Sequence, residues 1–378
     1  MDELNHPRIP ERYTPASLHA LLVWAALNDV SDVYLYPGNK VAVNRYGRVI
    51  SLGHRELDGS EMMLLLNQIT SNGGSVAAGG VSYAFRHDEN RTEDRKTFRF
   101  RGNATASLMG VCAVFRPIPD LPPKLGPYGE LDADGKPVYG VEPELLEFLF
   151  PKKGMLVVAG ATGSGKSTFL SAILRRRLET EYISMLTIEA PIEFNFYGIP
   201  NALGVVAQTE VPIHLGEFRL GVRDTLRRAP QVILIGEMRD PETVDGAITE
   251  VRTGHAVYST VHTESVAGVV DRMIREFPPS QWEASRMALV DSMAVMVNQS
   301  LWPSTDGKRV ALREWLVLDA PMKEELNLIP LNELTVRINH LVHERGRHLS
   351  MSAYLALKDK KITRSVYREI LATRGMKE

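Results

Sequence analysis

A single cysteine, Cys112, stands in a chain of 378 residues. One thiol makes neither an intrachain disulfide nor a metal cluster, so the chain fits a reducing compartment. Its neighbours Val111, Ala113 and Val114 suggest that Cys112 is a small core residue. Long apolar runs are missing as well. None approaches the roughly 18 residues of a membrane span, and no basic segment followed by an apolar one marks a signal peptide at the N-terminus. Membrane association is therefore expected only at the periphery or through partners. Charge imbalance is also absent, the formal net charge being −2. Direct nucleic-acid binding is not expected, because Arg175-Arg176-Arg177 is the only arginine triplet and no basic strip is interleaved with aromatics. There is no Asn-Lys-x-Asp motif to read guanine, and no internal repeat or low-complexity tract.

What is present is a phosphate-binding signature. The run Met155–Ala159 is short and apolar with β-branched residues, and it meets Gly160-Ala161-Thr162-Gly163-Ser164-Gly165-Lys166-Ser167-Thr168 before a helical pattern from Ser167 to Arg177. Every fixed position of a Walker A motif is filled between a predicted strand and a predicted helix. The glycines let successive N–H groups turn inward onto a polyphosphate at the helix N-terminus. Lys166 then reaches the β- and γ-phosphates, and the Ser167 hydroxyl is suited to Mg²⁺.

With 44% hydrophobic and 24% charged residues, a chain of this length reads as two or three globular domains. Thr14-Pro15 reads as a helix start with Leu18, Leu21, Leu22 and Ala25 on one face, and a second helix is expected over Ser60–Thr70. Strand-like runs cover 32–36, 41–44, 81–85, 97–102 and 111–116, which makes residues 1–118 a small α+β domain. In Phe98-Arg99-Phe100-Arg101 the period of two puts the phenylalanines on one face and the arginines on the other. Five prolines between Pro117 and Pro127 mark a boundary, and residues 119–140 read as a proline-rich linker or hinge, or as a surface excursion with Asp134-Gly135 as a turn.

Residues 141–378 alternate strand and helix signals, which implies right-handed crossovers, a mostly parallel sheet and a RecA-like P-loop core with C-terminal helices. A long helix is expected over Gln281–Leu301. Parallel sheets bind ligands at their carboxyl edges, so three further strand ends should converge on the P-loop. One is Val232–Ile235 followed by Gly236-Glu237, a Walker B pattern with Gly where most P-loop enzymes carry a metal-binding Asp; Glu237 then works on Mg²⁺ through water or orients the attacking water. A second ends in Glu189-Ala190-Pro191-Ile192-Glu193, two carboxylates from which a general base could come. The third is bracketed by His255 and His262. His262 at its carboxyl end is suited to sensing phosphate, and His255 to subunit contacts or loop geometry. No metal centre is implied there, since no Cys or third His stands at ligand spacing.

These four stretches in this order, from the Walker A run through Thr187–Phe194, Ile235–Asp240 and Thr253–Thr263, resemble the Walker A, Asp box, Walker B and His box of the secretion and pilus ATPases of the PilT and VirB11 superfamily. That family also carries Gly-Glu in its Walker B. Its Asp box commonly reads Glu-Asp-Pro-Ile-Glu, so Ala190 removes the central acid, and motif position favours Glu193 as catalytic base. Arg309-Val310-Ala311-Leu312-Arg313-Glu314 looks closer to the type IVB secretion and IncI-type conjugation branch of DotB and TraJ than to pilus-retraction motors. The resemblance implies a PAS-like N-terminal domain and a homohexamer that uses ATP and Mg²⁺. It implies phosphate-contacting roles for Arg101 and Arg116, the proline-rich hinge closing one domain on the other. It also implies a cytoplasmic ATPase, peripherally bound to inner-membrane secretion or conjugation machinery. The readings beside it are a pilus retraction or extension motor, a DNA translocase on the same core, and a nucleotide-regulated scaffold that hydrolyses little.

Overall fold

Two sheets organise the chain, and the computed structural model describes residues 7–70, 83–90, 97–118 and 121–377. The chain divides into two compact units, Met1–Asp120 and Leu121–Glu378.

In the first unit, helix α1 (Pro15–Leu27) begins as its sequence dictates. The Thr14 hydroxyl accepts from Ser17 N at 3.2 Å, and the Ser17 hydroxyl accepts from Thr14 N at 2.9 Å, a reciprocal cap ahead of Pro15. Leu18, Leu21, Leu22 and Ala25 are all buried. The remaining elements are β1 (Val30–Leu35), β2 (Lys40–Arg45), β3 (Arg48–Glu56), α2 (Gly59–Thr70), β4 (Tyr83–Asn90), β5 (Thr97–Ser107) and β6 (Gly110–Ile118). The strands form one antiparallel sheet in the order β3-β2-β1-β6-β5-β4. Residues 81 and 82 of the expected 81–85 strand lie outside the described residues. Phe98, Phe100 and Phe115 pack with the leucines of α1 and α2 in this unit's core.

Cys112 departs from expectation. Alternation along β6 buries Val111, Ala113 and Phe115, which turns Cys112 to the opposite face, where it is half-buried with its Sγ 3.1 Å from Ser107 Oγ. Apolar neighbours in sequence point away from it because successive strand residues face opposite sides.

The second unit begins at Leu121, so the segment expected as a linker over 119–140 does not stand between the units; residues 119 and 120 lie outside the described residues, and from Leu121 onward the chain is folded. Strands β7 (Leu125–Pro127) and β8 (Tyr139–Val141) pair in parallel. Between them Asp132 N donates to Lys136 O at 2.8 Å and Gly135 N to Asp132 O at 2.9 Å, while the Tyr128 hydroxyl donates to Ala311 O at 3.1 Å. Prolines exclude a helix or a central strand here, but they leave enough free N–H groups for a short edge pair.

After α3 (Pro143–Leu146) come β9 (Gly154–Ala159), α4 (Lys166–Thr180), β10 (Ser184–Glu189), β11 (Val205–Glu210), α5 (Phe218–Thr225), β12 (Val232–Ile235), α6 (Pro241–Arg252), β13 (Ala256–Val261), α7 (Gly268–Ile274), α8 (Trp282–Ser292), β14 (Met293–Pro303) and β15 (Arg309–Val317). The order is β11-β10-β12-β13-β9-β14-β15, parallel throughout except for β15 at one edge. Every residue of β9, β12 and β13 is buried, as in a parallel sheet covered on both faces. The helices α9 (Ala320–Leu328), α10 (Leu331–Arg345), α11 (Leu349–Lys358) and α12 (Arg364–Thr373) close the chain.

The long helix expected over Gln281–Leu301 stops at Ser292, and Met293–Pro303 is the strand that separates β9 from β15. Its apolar run is buried on both faces, and periodicity alone does not separate such a strand from a buried helix. Among the described residues no helix is long and apolar enough to cross a membrane.

Candidate nucleotide site

Parallel pairing of β10, β12, β13 and β9 brings four carboxyl-terminal strand ends to one edge of the second sheet. The Gly160–Gly165 loop leaves β9 there. Gly165 takes φ +82° as the cap of α4, with no side chain capping the helix. The first-turn N–H groups of a 15-residue helix are therefore left to a ligand or solvent, and the positive end of the helix dipole favours an anion. Lys166 is buried to 7% exposure and folds back, its ammonium donating to Gly160 O at 2.8 Å and Ala161 O at 2.9 Å. Burial pushes its pKa down, against the opposing pull of Glu193 first and Glu237 second. Lys166 thus lies in the field of both carboxylates.

The two acids of the Glu189–Glu193 loop occupy different environments. Glu189 is buried at the end of β10, accepts from Thr187 Oγ1 at 2.6 Å and from Gln208 Nε2 at 3.3 Å, and has its carboxyl pushed up to about 7 by burial. Glu193 is half-buried beyond the turn. Gly236 is explained by space. A Cβ there would lie 3.3 Å from the Glu189 Cα and the Ile188 carbonyl, and Gly236 N donates to Ile188 O at 2.8 Å. Glu237 follows it, with its carboxylate 2.6 Å from Arg239. Asp240 caps α6, accepting from Thr243 N at 2.8 Å.

His262 is exposed at the end of β13. Partial burial and then the Lys166 charge lower its pKa, so the ring is neutral at pH 7. It shares with Glu237, Arg239, Arg272 and Glu276 a cleft of about 260 Å³. His255 serves loop geometry. Its Nδ1 lies 2.9 Å from Glu250 O, 3.0 Å from Thr253 Oγ1 and 3.2 Å from the buried Glu250 carboxylate.

In the first unit, Arg101 and Arg116 face each other across β5 and β6. Arg101 is exposed, whereas the Arg116 guanidinium sits 2.7 Å from the Asp32 carboxylate, which is itself buried. The side chain of Arg99 lies outside the described residues. Two guanidiniums of the arginine triplet are consumed internally, Arg175 on Glu179 and Arg177 on Glu181 at 2.8 and 2.7 Å.

For Mg²⁺, the oxygen donors present are of the hard kind the ion prefers: the Ser167 hydroxyl in the first turn of α4 and the Glu237 carboxylate. No group of three or more His, Cys, Asp or Glu among the described residues forms a protein cage. That combination fits an ion held mainly by phosphate and water.

Sequence reasoning missed what lies behind the P-loop. Gln299 on β14 is fully buried and donates through Nε2 to Ser164 O at 2.8 Å, while its Oε1 accepts from Arg313 Nε at 2.9 Å and from the Tyr139 hydroxyl at 3.2 Å. Expecting a helix over this stretch hid Gln299 among apparent core positions, and with the run buried on both faces no periodicity marked it.

The family described as Type II/IV secretion system protein matches residues 91–345. Among curated relatives, a twitching motility protein of Neisseria gonorrhoeae is 38% identical over 239 residues, 63% of this chain and 59% of its own length. The type IV pilus retractation ATPase PilT of Pseudomonas aeruginosa is 37% identical over 219 residues, 58% of this chain and 60% of its own. The chain thus spans about three fifths of the length of these relatives. Among solved structures, the ATPase DotB of Legionella pneumophila superposes with a TM-score of 0.86 at 32% identity, covering 97% of this chain and 98% of that one. The pilus retraction motor PilT with bound ADP gives 0.71 at 26% identity, covering 92% and 94%.

Proposed function

The chain belongs to the type II/IV secretion system protein family, within the secretion and pilus ATPases of the PilT and VirB11 superfamily, and from that premise we propose that it is a hexameric, Mg²⁺-dependent ATPase powering substrate transfer or assembly in a type IV secretion system of the IVB or conjugative kind. The observation that supports the reading is the likeness to DotB, with a TM-score of 0.86 at 32% identity, against 0.71 at 26% for the pilus retraction motor PilT over nearly the same share of the chain. The pilus retraction or extension motor is the second reading, supported by their 37–38% identity. The protein would act at the cytoplasmic face of the inner membrane, held there by partners.

In this reading ATP seats its phosphates on the uncapped N-terminus of α4, and Lys166 exchanges its two loop carbonyls for phosphate oxygens. Mg²⁺, when bound, neutralises phosphate charge; Ser167 would hold it directly and Glu237 through water. Glu193 takes the proton of the attacking water. Its half-exposed position within the field of Lys166 supports that role over Glu189, which is buried and tied to Thr187 and Gln208. Neutral His262 donates a hydrogen bond to the γ-phosphate through its ring N–H and so distinguishes ATP from ADP. Arg101 and Arg116 add positive charge as the phosphoryl group transfers.

Phosphate release and particle shape, measured with and without Mg²⁺ and ATP, test the activity; a monomer without turnover would remove it. Deleting the gene in its host and scoring transfer to recipient cells against surface motility separates secretion from the pilus reading.

A further inference from the structure

Arg313 is the largest fully buried side chain among the described residues, and the ATPase chemistry proposed above does not use it. It stands on β15 in the Arg309–Glu314 stretch that the sequence singles out. Its guanidinium reaches Glu142 Oε2 at 2.8 Å, the Tyr128 hydroxyl at 3.0 Å and Gln299 Oε1 at 2.9 Å, and it lies over the rings of Phe169 at 4.4 Å and Tyr139 at 5.5 Å. Nε and Nη1 are matched in this way, which lowers the cost of burying the cation, while Nη2 is buried without a hydrogen-bond partner. Burial works against the charge, and Glu142 with the two tyrosines more than offsets it, holding the guanidinium more firmly protonated than an ordinary arginine.

The consequence falls on Gln299. An amide can flip, but Arg313 and the Tyr139 hydroxyl both donate, so they fix the oxygen toward themselves and force the NH₂ toward the P-loop, where it meets Ser164 O at 2.8 Å. The fit is close on both sides of the loop. A Cβ on Gly160 would overlap the Gln299 carbonyl, and a Cβ on Gly165 would stand 3.0 Å from Gln299 Nε2. Gly160 and Gly165 therefore leave the room that Gln299 takes up behind the loop.

We infer that Gln299, oriented by Arg313 and Tyr139, is a positioning residue for nucleotide binding that holds the Ser164 peptide so that the loop N–H groups face the phosphates. This rests on the site binding nucleotide as proposed above. The loop amides grip ADP and ATP alike, so loosening them weakens binding of both and leaves the saturated rate nearly intact.

The test is titration of the full-length protein with a fluorescent ADP, together with steady-state ATP hydrolysis. Gln299→Met is expected to raise the ADP Kd and the KM for ATP about tenfold with kcat within about threefold. Tyr139→Phe, which deletes one hydroxyl and keeps the ring against Phe169, is expected to raise both two- to threefold. A merely structural role would lower Tm and the active fraction without moving Kd. Wild-type Kd and KM in folded Gln299→Met overturn the inference; where that variant does not fold, the same values in Tyr139→Phe overturn it. A wild-type protein that binds no ADP overturns the nucleotide reading itself and this inference with it, whereas wild-type binding with unaffected variants overturns this inference alone.

Discussion

The two units hold the cations proposed to meet phosphate in opposite ways. At the edge of the parallel sheet Lys166 is 7% exposed and hydrogen-bonded to two backbone carbonyls, and the proposed acids stand in its field before any ligand arrives. On the antiparallel sheet the Arg116 side chain is 59% exposed and engaged by Asp32, while Arg101 opposite it is exposed. The first arrangement is a seat already shaped for an anion. In the second, Arg116 can serve a phosphate only by leaving Asp32, while Arg101 is exposed. In the proposed function, binding belongs to the P-loop unit and response to binding to the arginines.

The largest effect should follow from removing the seat. Lys166→Ala deletes the cation the loop positions and leaves two inward carbonyls facing the phosphate, so fluorescent-ADP affinity is expected to fall by on the order of 10³ or more. Near-normal affinity would move the site away from the P-loop altogether. Glu193→Gln comes next. It should keep nucleotide affinity within a few-fold and lower turnover by a factor on the order of 10² or more, the loss expected for a missing general base. If Glu193→Gln turns over normally and Glu189→Gln does not, the base is Glu189 and Glu193 the supporting acid.

Glu189 sharpens the comparison from the stability side. Its carboxyl titrates near 7 in the fold against about 4.5 when unfolded, because burial disfavours the charge. The folded state then binds more protons than the unfolded one between those values. Stability contributed by the neutral carboxyl is full below about pH 4.5 and is lost as pH rises through about 7. At 1.36 kcal/mol per unit the loss is about 3 kcal/mol at most. Urea unfolding at pH 5 and pH 8 should show the wild type losing ground to Glu189→Gln over that interval, and parallel curves would mean that water reaches the Glu189 carboxyl.

Motif chemistry made the seat legible from sequence, since a Gly-rich turn between an apolar strand and a helix admits few other uses, and alternation gave Phe98 and Phe100 their core positions. Capping residues placed α1 to the residue at Thr14. Three features were not legible. Prolines advertised a linker where Tyr128 and Tyr139 hold a folded excursion against Arg313 and Gln299. An apolar run buried on both faces hid β14 inside an apparent helix. The pairing of Arg116 with Asp32 joins residues 84 apart in sequence, and no local pattern records it.

That pairing carries the smallest expected effect and the most specific one. Arg101→Ala removes an exposed side chain, so it should lower turnover about tenfold while leaving Tm unchanged. Arg116→Ala should lower turnover similarly but also cost about 1–3 kcal/mol of stability, because it strands a buried carboxylate. Adding Asp32→Asn to Arg116→Ala removes that stranded charge, so the double variant should recover stability and stay slow. Arg116→Lys should keep part of the pairing without restoring the rate, since an ammonium lacks the planar fork that can hold a carboxylate or a phosphate in two bonds. Steady-state hydrolysis and thermal unfolding of the four proteins separate the two roles of Arg116. Recovery of turnover in the double variant would show that Arg116 acts only by covering Asp32, and the phosphate-directed role would then rest on Arg101.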